Sequence, residues 1–124
     1  MNDIIIEGTD DSPEVKLDAE KGEIAFSGRS LPENVNNFYE PIFQWICNYV
    51  ANPKDNTQIS FFFEYINSSS SKKILEILME LKKLKDKGKS LIITWQHRTD
   101  DDDMYEEGLD FQKMLGFDFH IIAR

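Results

Sequence analysis

The spacing of apolar and polar residues changes period along the chain, and each change predicts an element. "EVKLD" and "EIAFSG" alternate on either side of "AEKG", which predicts a β-hairpin with Val15, Leu17, Ile24 and Phe26 facing inward. "DIIIEG" upstream is a short strand candidate, followed by the turn-like "TDDSP". From Val35 the spacing becomes helical: Val35, Phe38, Tyr39, Ile42, Phe43, Ile46, Tyr49 and Val50 fall on one face. Pro41 lies inside this pattern. It has no N–H and crowds the carbonyl of Asn37, so a kink or a late start is expected. Trp45 then sits one turn past the kink and off the main face, either at the rim of the core or as a partly exposed anchor for a partner.

The second half is richer in apolar runs. "QISFFFEYIN" is nearly continuous and predicts a central strand covered on both faces. "SSSSKKILEILMELKKLKDKGK" predicts a helix with Ile74, Leu75, Ile77, Leu78, Leu81 and Leu84 inward and Gly88 at its C-terminal cap. "SLIITWQ" is a second buried strand, "RTDDDDMYEEGLDFQKMLG" an acidic helix with Met104, Leu109, Phe111 and Leu115 as core, and "FDFHIIA" a final strand. The order β-ββ-α-β-α-β-α-β predicts an α/β fold, a mixed sheet flanked by helices with parallel crossovers in its second half. A length of 124 residues suits one domain, 1–124, with one real core.

Charge narrows the partners. A net charge of −9 argues against nucleic acid or an anionic membrane as the main partner, because both are polyanions. The single cysteine, Cys47, precludes an intrachain disulfide and fits a reducing cytosol. Neither a signal-peptide core nor a run of the ~20 apolar residues needed to span a bilayer is present, so a cytoplasmic protein is expected.

Motifs for catalysis and cofactors are missing: there is no GxGxxG, Walker loop, GxSxG or HExxH. The expectation is therefore a protein without catalytic residues, metal or cofactor. His120 alternates with apolar neighbours and reads as a half-buried sheet residue; His97 ends a strand beside charged residues and reads as solvated. Cys47 reads as a small packed side chain rather than a nucleophile. The run Asp100 to Asp103 lacks the spacing of a calcium loop and suits the positive end of a helix dipole. Asp101, Asp102 and Asp103 thus form a solvated helix start that doubles as a candidate partner surface, opposite in sign to Lys72, Lys73, Lys82, Lys83, Lys85, Lys87 and Lys89. In "SLPEN", Asn34 is placed to cap the helix that begins at Val35.

Four serines, Ser68 to Ser71, join the central strand to its helix, and turn chemistry does not need so many. One hydroxyl suffices to cap the helix. The same helix start holds a phosphate well, because its free N–H groups and dipole favour an anion and Lys72 adds positive charge. From the residues alone both roles stand, capping being the simpler.

The stretch "INSSSSK" after a buried strand resembles the phosphoacceptor turn of bacterial regulatory phosphoproteins of the SiaC type, which are similar to STAS-domain anti-sigma-factor antagonists. "IEGTDDSPEV" resembles the opening of that family, "GRSLPEN" its SYPEN element, "FYEPIFQWI" its first helix and "ITWQHRTDDDDMYEEGLDF" its tryptophan strand and acidic stretch. The resemblance implies a single STAS-like domain acting as a partner-switching regulator. It implies phosphorylation by a cognate serine/threonine kinase on the residue after Asn67, which is Ser68, with Ser69 as second choice and Asn67, Ser70 and Lys72 as its surroundings. It further implies dephosphorylation by a PP2C-type phosphatase, and an unmodified form that binds an effector such as a diguanylate cyclase, in cyclic-di-GMP signalling and biofilm regulation. Two departures are Ser68 where the family often has Thr, and Ser71 where an apolar residue is common. The rival reading is a STAS-like sensor that binds a small molecule between its aromatic residues, without phosphorylation.

Overall fold

The computed structural model describes residues 2–124. Its elements follow in the order β1 (Ile4–Ile6), β2 (Glu14–Asp18), β3 (Glu23–Ser30), α1 (Val35–Ala51), β4 (Asn56–Ile66), α2 (Ser68–Asp86), β5 (Ser90–His97), α3 (Asp102–Leu115) and β6 (His120–Ala123). This is the predicted order. The strands form one six-stranded sheet in the order β1-β2-β3-β4-β5-β6. β1, β2 and β3 pair antiparallel; β3, β4, β5 and β6 pair parallel. The sheet is therefore mixed, as expected.

Each parallel pair is joined by one helix. Such crossovers are right-handed, and here all three step across the sheet in the same direction, so all three helices lie on the same face. The buried residues agree. Ile24 and Phe26 of β3, Ile59, Phe61 and Phe63 of β4 and Ile93 and Trp95 of β5 turn toward the helices and pack on Ile42, Ile46, Ile74, Ile77, Leu81 and Phe111. Phe26, Phe61, Phe63 and Trp95 pack ring against ring along the sheet, some pairs stacked and some tilted, at centroid separations of 5.2 to 6.4 Å. Burying an apolar side chain of this size contributes on the order of 2 kcal/mol, so this seam is the main stabilising unit.

The helix-free face corrects one expectation. β4 alternates buried and accessible residues rather than being covered on both faces. Its apolar run is continuous because Phe62 lies on the open side, where the guanidinium of Arg124 covers its ring at 4.3 Å. The buried aromatic residues pack on one another inside the core rather than around a cleft.

The helix α1 starts at Val35 and includes Pro41, so it does not start late. Gly88 follows the end of α2 with φ of +76°, the left-handed conformation that a helix C-terminus asks of its next residue. Among the described residues no helix is long and apolar enough to cross a membrane.

Candidate functional site at the start of the second helix

Strands β3, β4 and β5 run parallel, so their C-terminal ends share one edge of the sheet, and each gives way there to a helix. Such an edge gathers helix N-termini, whose free N–H groups attract anions. The three starts are capped in the same manner. The side-chain oxygen of Asn34 accepts from the N–H of Asn37 at 3.0 Å, that of Asn67 from Ser70 at 2.8 Å, and that of Asp101 from Met104 at 3.0 Å. Asn34 is the cap expected of "SLPEN".

Since Asn67 caps α2, no serine is needed for that role, contrary to the simpler sequence reading. Ser68 and Ser69 become the first two helical residues, and both are exposed. Ser70 is fully buried. Its Oγ accepts from Ser30 Oγ at 2.8 Å, and Ser30 Oγ lies 2.6 Å from the hydroxyl of Tyr39. Ser71 is tied sideways: its Oγ donates to Glu107 Oε1 of α3 at 2.6 Å. The four hydroxyls thus divide into two presented to solvent and two engaged by the fold. Lys72 lies one helical turn beyond Ser68 on the same face and is exposed, whereas Lys73 pairs with Glu76 at 3.6 Å.

Burial pushes the Tyr39 pKa up to about 12, against the smaller opposing pull of the Ser30 and Ser70 hydroxyls. Tyr39 therefore remains a proton donor at any ordinary pH. Neither Ser30 nor Tyr39 was read as part of the site. The phase of β3 carried the signal: Ile24, Phe26 and Ser30 are two or four residues apart and point the same way, so Ser30 was due to face inward.

The acidic stretch lies at the same edge. Asp101 is engaged as the cap of α3, and Asp102 and Asp103 are exposed in its first turn. Asp101, Asp103 and Glu107 line an open cleft together with Glu64, Tyr65 and Met104. Trp45 does not join them. It is only 5% exposed, stacks on Tyr49 at 5.5 Å, and donates its indole N–H to the carbonyl of Asn2 at 2.8 Å. A residue held this way belongs to the core, so the partner-facing reading of Trp45 is corrected. The two histidines exchange their expected places. His97 is buried edge-on against Tyr105 at 5.3 Å, because the odd residues of β5 face the helices, and His120 is exposed. Cys47 is half-buried beside Glu80, and burial first, then the Glu80 carboxylate, push its thiol pKa up. It is a poor nucleophile.

Comparison with known proteins agrees with this fold. An uncharacterized protein of Pseudomonas aeruginosa is 25% identical over 123 residues, spanning 99% of this chain and 98% of its own. The structure of SiaC of Pseudomonas aeruginosa matches with a TM-score of 0.89 and 25% identity over 100% of both chains. A second match, with a TM-score of 0.92 and 24% identity over 98% of this chain and 100% of the other, comes from the crystal structure of the diguanylate cyclase SiaD in complex with its activator SiaC, and at that identity it speaks for the fold. The profile of the SiaC family regulatory phosphoproteins matches residues 6–124, and with that span the chain belongs to this family.

Proposed function

We propose that this chain is a cytoplasmic interaction switch, one domain over residues 1–124, controlled by phosphorylation of Ser68. A cognate serine/threonine kinase transfers the γ-phosphoryl group of ATP to Ser68 Oγ, ADP leaves, and the hydroxyl proton passes to the kinase. A PP2C-type phosphatase returns the serine by hydrolysis to inorganic phosphate. The unmodified form binds the effector, and a diguanylate cyclase is the class suggested by the SiaC relative that activates SiaD. The observation that carries the reading is the division of the serine run: Asn67 supplies the cap, Ser70 and Ser71 are engaged, and Ser68 stands exposed at the first helical position.

Phosphate adds roughly −1.5 to −2 of charge at this point. The helix dipole and Lys72 stabilise it, so the fold survives modification. A partner seated closely over the turn meets a bulky dianion that it must strip of water, and it is displaced. Asp102 and Asp103, exposed beside the cleft, extend the same surface and are assigned to the partner contact, with Asp101 holding their turn in place. Ser69 is the second-choice acceptor.

The test is mass spectrometry after incubation with kinase and ATP, followed by effector pull-down of both forms. Phosphate on Ser68 with binding lost is the expected result, and Ser68→Ala should fold and bind constitutively. Phosphate found only on Ser69 or Ser70 moves the acceptor; equal binding by both forms ends the switch.

A further inference from the structure

Four identical hydroxyls in a row pose a selection problem, and the fold offers a solution. We propose that Ser30 and Tyr39 are positioning residues that decide which serine of the run is modified. The inference rests on the phosphorylation reading above and adds to it the means by which one acceptor is chosen.

Ser30 holds the start of α2 at two points. Its backbone carbonyl accepts the N–H of Asn67, the cap, at 3.0 Å. Its side chain reaches Ser70, three residues on, at 2.8 Å. A serine hydroxyl carries one proton. With that proton given to Ser70, Ser30 accepts from Tyr39 at 2.6 Å, so the chain of donors runs from Tyr39 through Ser30 to Ser70. The three come from α1, β3 and α2, and all are buried. Ser70 is thereby fixed facing inward by two other elements and not by the helix alone.

Fixing one residue of a helix fixes the direction of the rest. At 3.6 residues per turn each step rotates by about 100°. Ser68, two steps back, lies about 200° from Ser70 and hence on the opposite, outward side. Ser69 and Ser71 each stand about 100° to one side, and Ser71 is engaged by Glu107 on its side. The buried chain therefore gives Ser68 the most outward position of the four. A hydroxyl buried without a partner is costly. If Ser30 and Tyr39 lose their hydroxyls, Ser70 gains by turning toward water, and the phase of the turn is released.

The experiment compares the parent with Tyr39→Phe, with the double variant Ser30→Ala/Tyr39→Phe, and with that double variant carrying Ser70→Ala. Each is treated with the cognate kinase and ATP, and phosphate is assigned to individual serines over a time course. The double variant should lose about tenfold in initial rate at Ser68 and gain phosphate on Ser70, as Ser70 exchanges its lost partners for water. Tyr39→Phe, nearly isosteric, should fold and shift in the same direction by less, which keeps the idea testable should the double variant not fold. Adding Ser70→Ala removes the hydroxyl that seeks water and should restore modification of Ser68. A lower melting temperature with all phosphate still on Ser68 at the parental rate overturns the inference and leaves the switch standing. A parent that takes phosphate on no serine overturns both.

Discussion

The starts of α2 and α3 are built to one plan and differ in charge. Each has an amide or carboxylate cap accepting from the N–H three residues on, a buried residue at that third position, and two exposed residues between. In α3 those two are Asp102 and Asp103; in α2 they are Ser68 and Ser69. Helix α3 thus carries permanently, at its first two positions, the negative charge that its dipole favours. Helix α2 holds neutral hydroxyls there, which gain that charge only by modification. The fastenings to the core differ too. Tyr39 reaches α2 through Ser30, whereas Trp95 grips α3 directly by giving its indole N–H to the carbonyl of Met104 at 2.9 Å. Helix α2 is held at its start by hydroxyls that can exchange partners, and α3 by the indole of a packed ring.

Alkali should break this symmetry most strongly. Tyr39 has a folded pKa of about 12 against an ordinary value of 10.0. The folded state therefore keeps a proton that the unfolded chain has lost between those values, and stability falls as pH rises. The contribution is complete below pH 10 and gone above about 12, a loss of about 3 kcal/mol. Denaturant melts across this range should show the loss in the parent and a smaller one in Tyr39→Phe. Equal losses in both would detach the effect from the α2 fastening.

Gly108→Ala is the corresponding attack on α3. A Cβ there would stand 2.8 Å from Nε1 and 2.9 Å from Cγ of Trp95, and closer still to Cδ1. The ring is buried and cannot retreat, so the cost should be about 2 kcal/mol by denaturant melting. An unchanged midpoint would mean that α3 shifts freely on the sheet.

Cap removal comes next. Asn67→Ala, Asp101→Ala and Asn34→Ala should each lower stability by about 1 kcal/mol. The smallest effect is the most pointed. Replacing Ser68 and Ser69 by Asp should stabilise the fold, and replacing Asp102 and Asp103 by Ser should destabilise it, each by roughly 0.5 kcal/mol at low salt and less at high salt. Thermal melts that move in the same direction for both exchanges would show that the two starts do not obey one electrostatic rule.

Local patterning carried most of the architecture. The hairpin, the inward faces of α1 and α2, the cap at Asn34 and the glycine after α2 were all legible, because each depends on residues within a turn or two of one another. The misreadings depend on distant pairs. Phe62 looked like a buried strand residue because its cover, Arg124, lies at the other end of the chain. Trp45 looked partly exposed because Asn2, which satisfies its indole, is not near it in sequence. His97 and His120 changed places because the phase of a strand is set by the sheet and the helices above it, not by the polarity of one neighbour. In the serine run a shift of a single residue, from a serine cap to the Asn67 cap, decided which hydroxyls are available. Ser and Asn are nearly equal caps, so propensity alone does not choose between them.

The strand order has a consequence for how the molecule is made. Chain order and sheet order coincide, so every new strand pairs with the one completed just before it. No strand waits for a distant partner, and each crossover closes a loop of one helix with its short connections. The cost of closing a loop rises only slowly with its length, so no one of these crossovers is penalised far above the others. A chain leaving the ribosome N-terminus first meets at each stage a single growing edge on which to add its next strand. The growing edge moves steadily from β3 to β6, and the base of the serine turn, where Ser30 of β3 pairs with Ile66 of β4, is built without any strand from the later part of the chain.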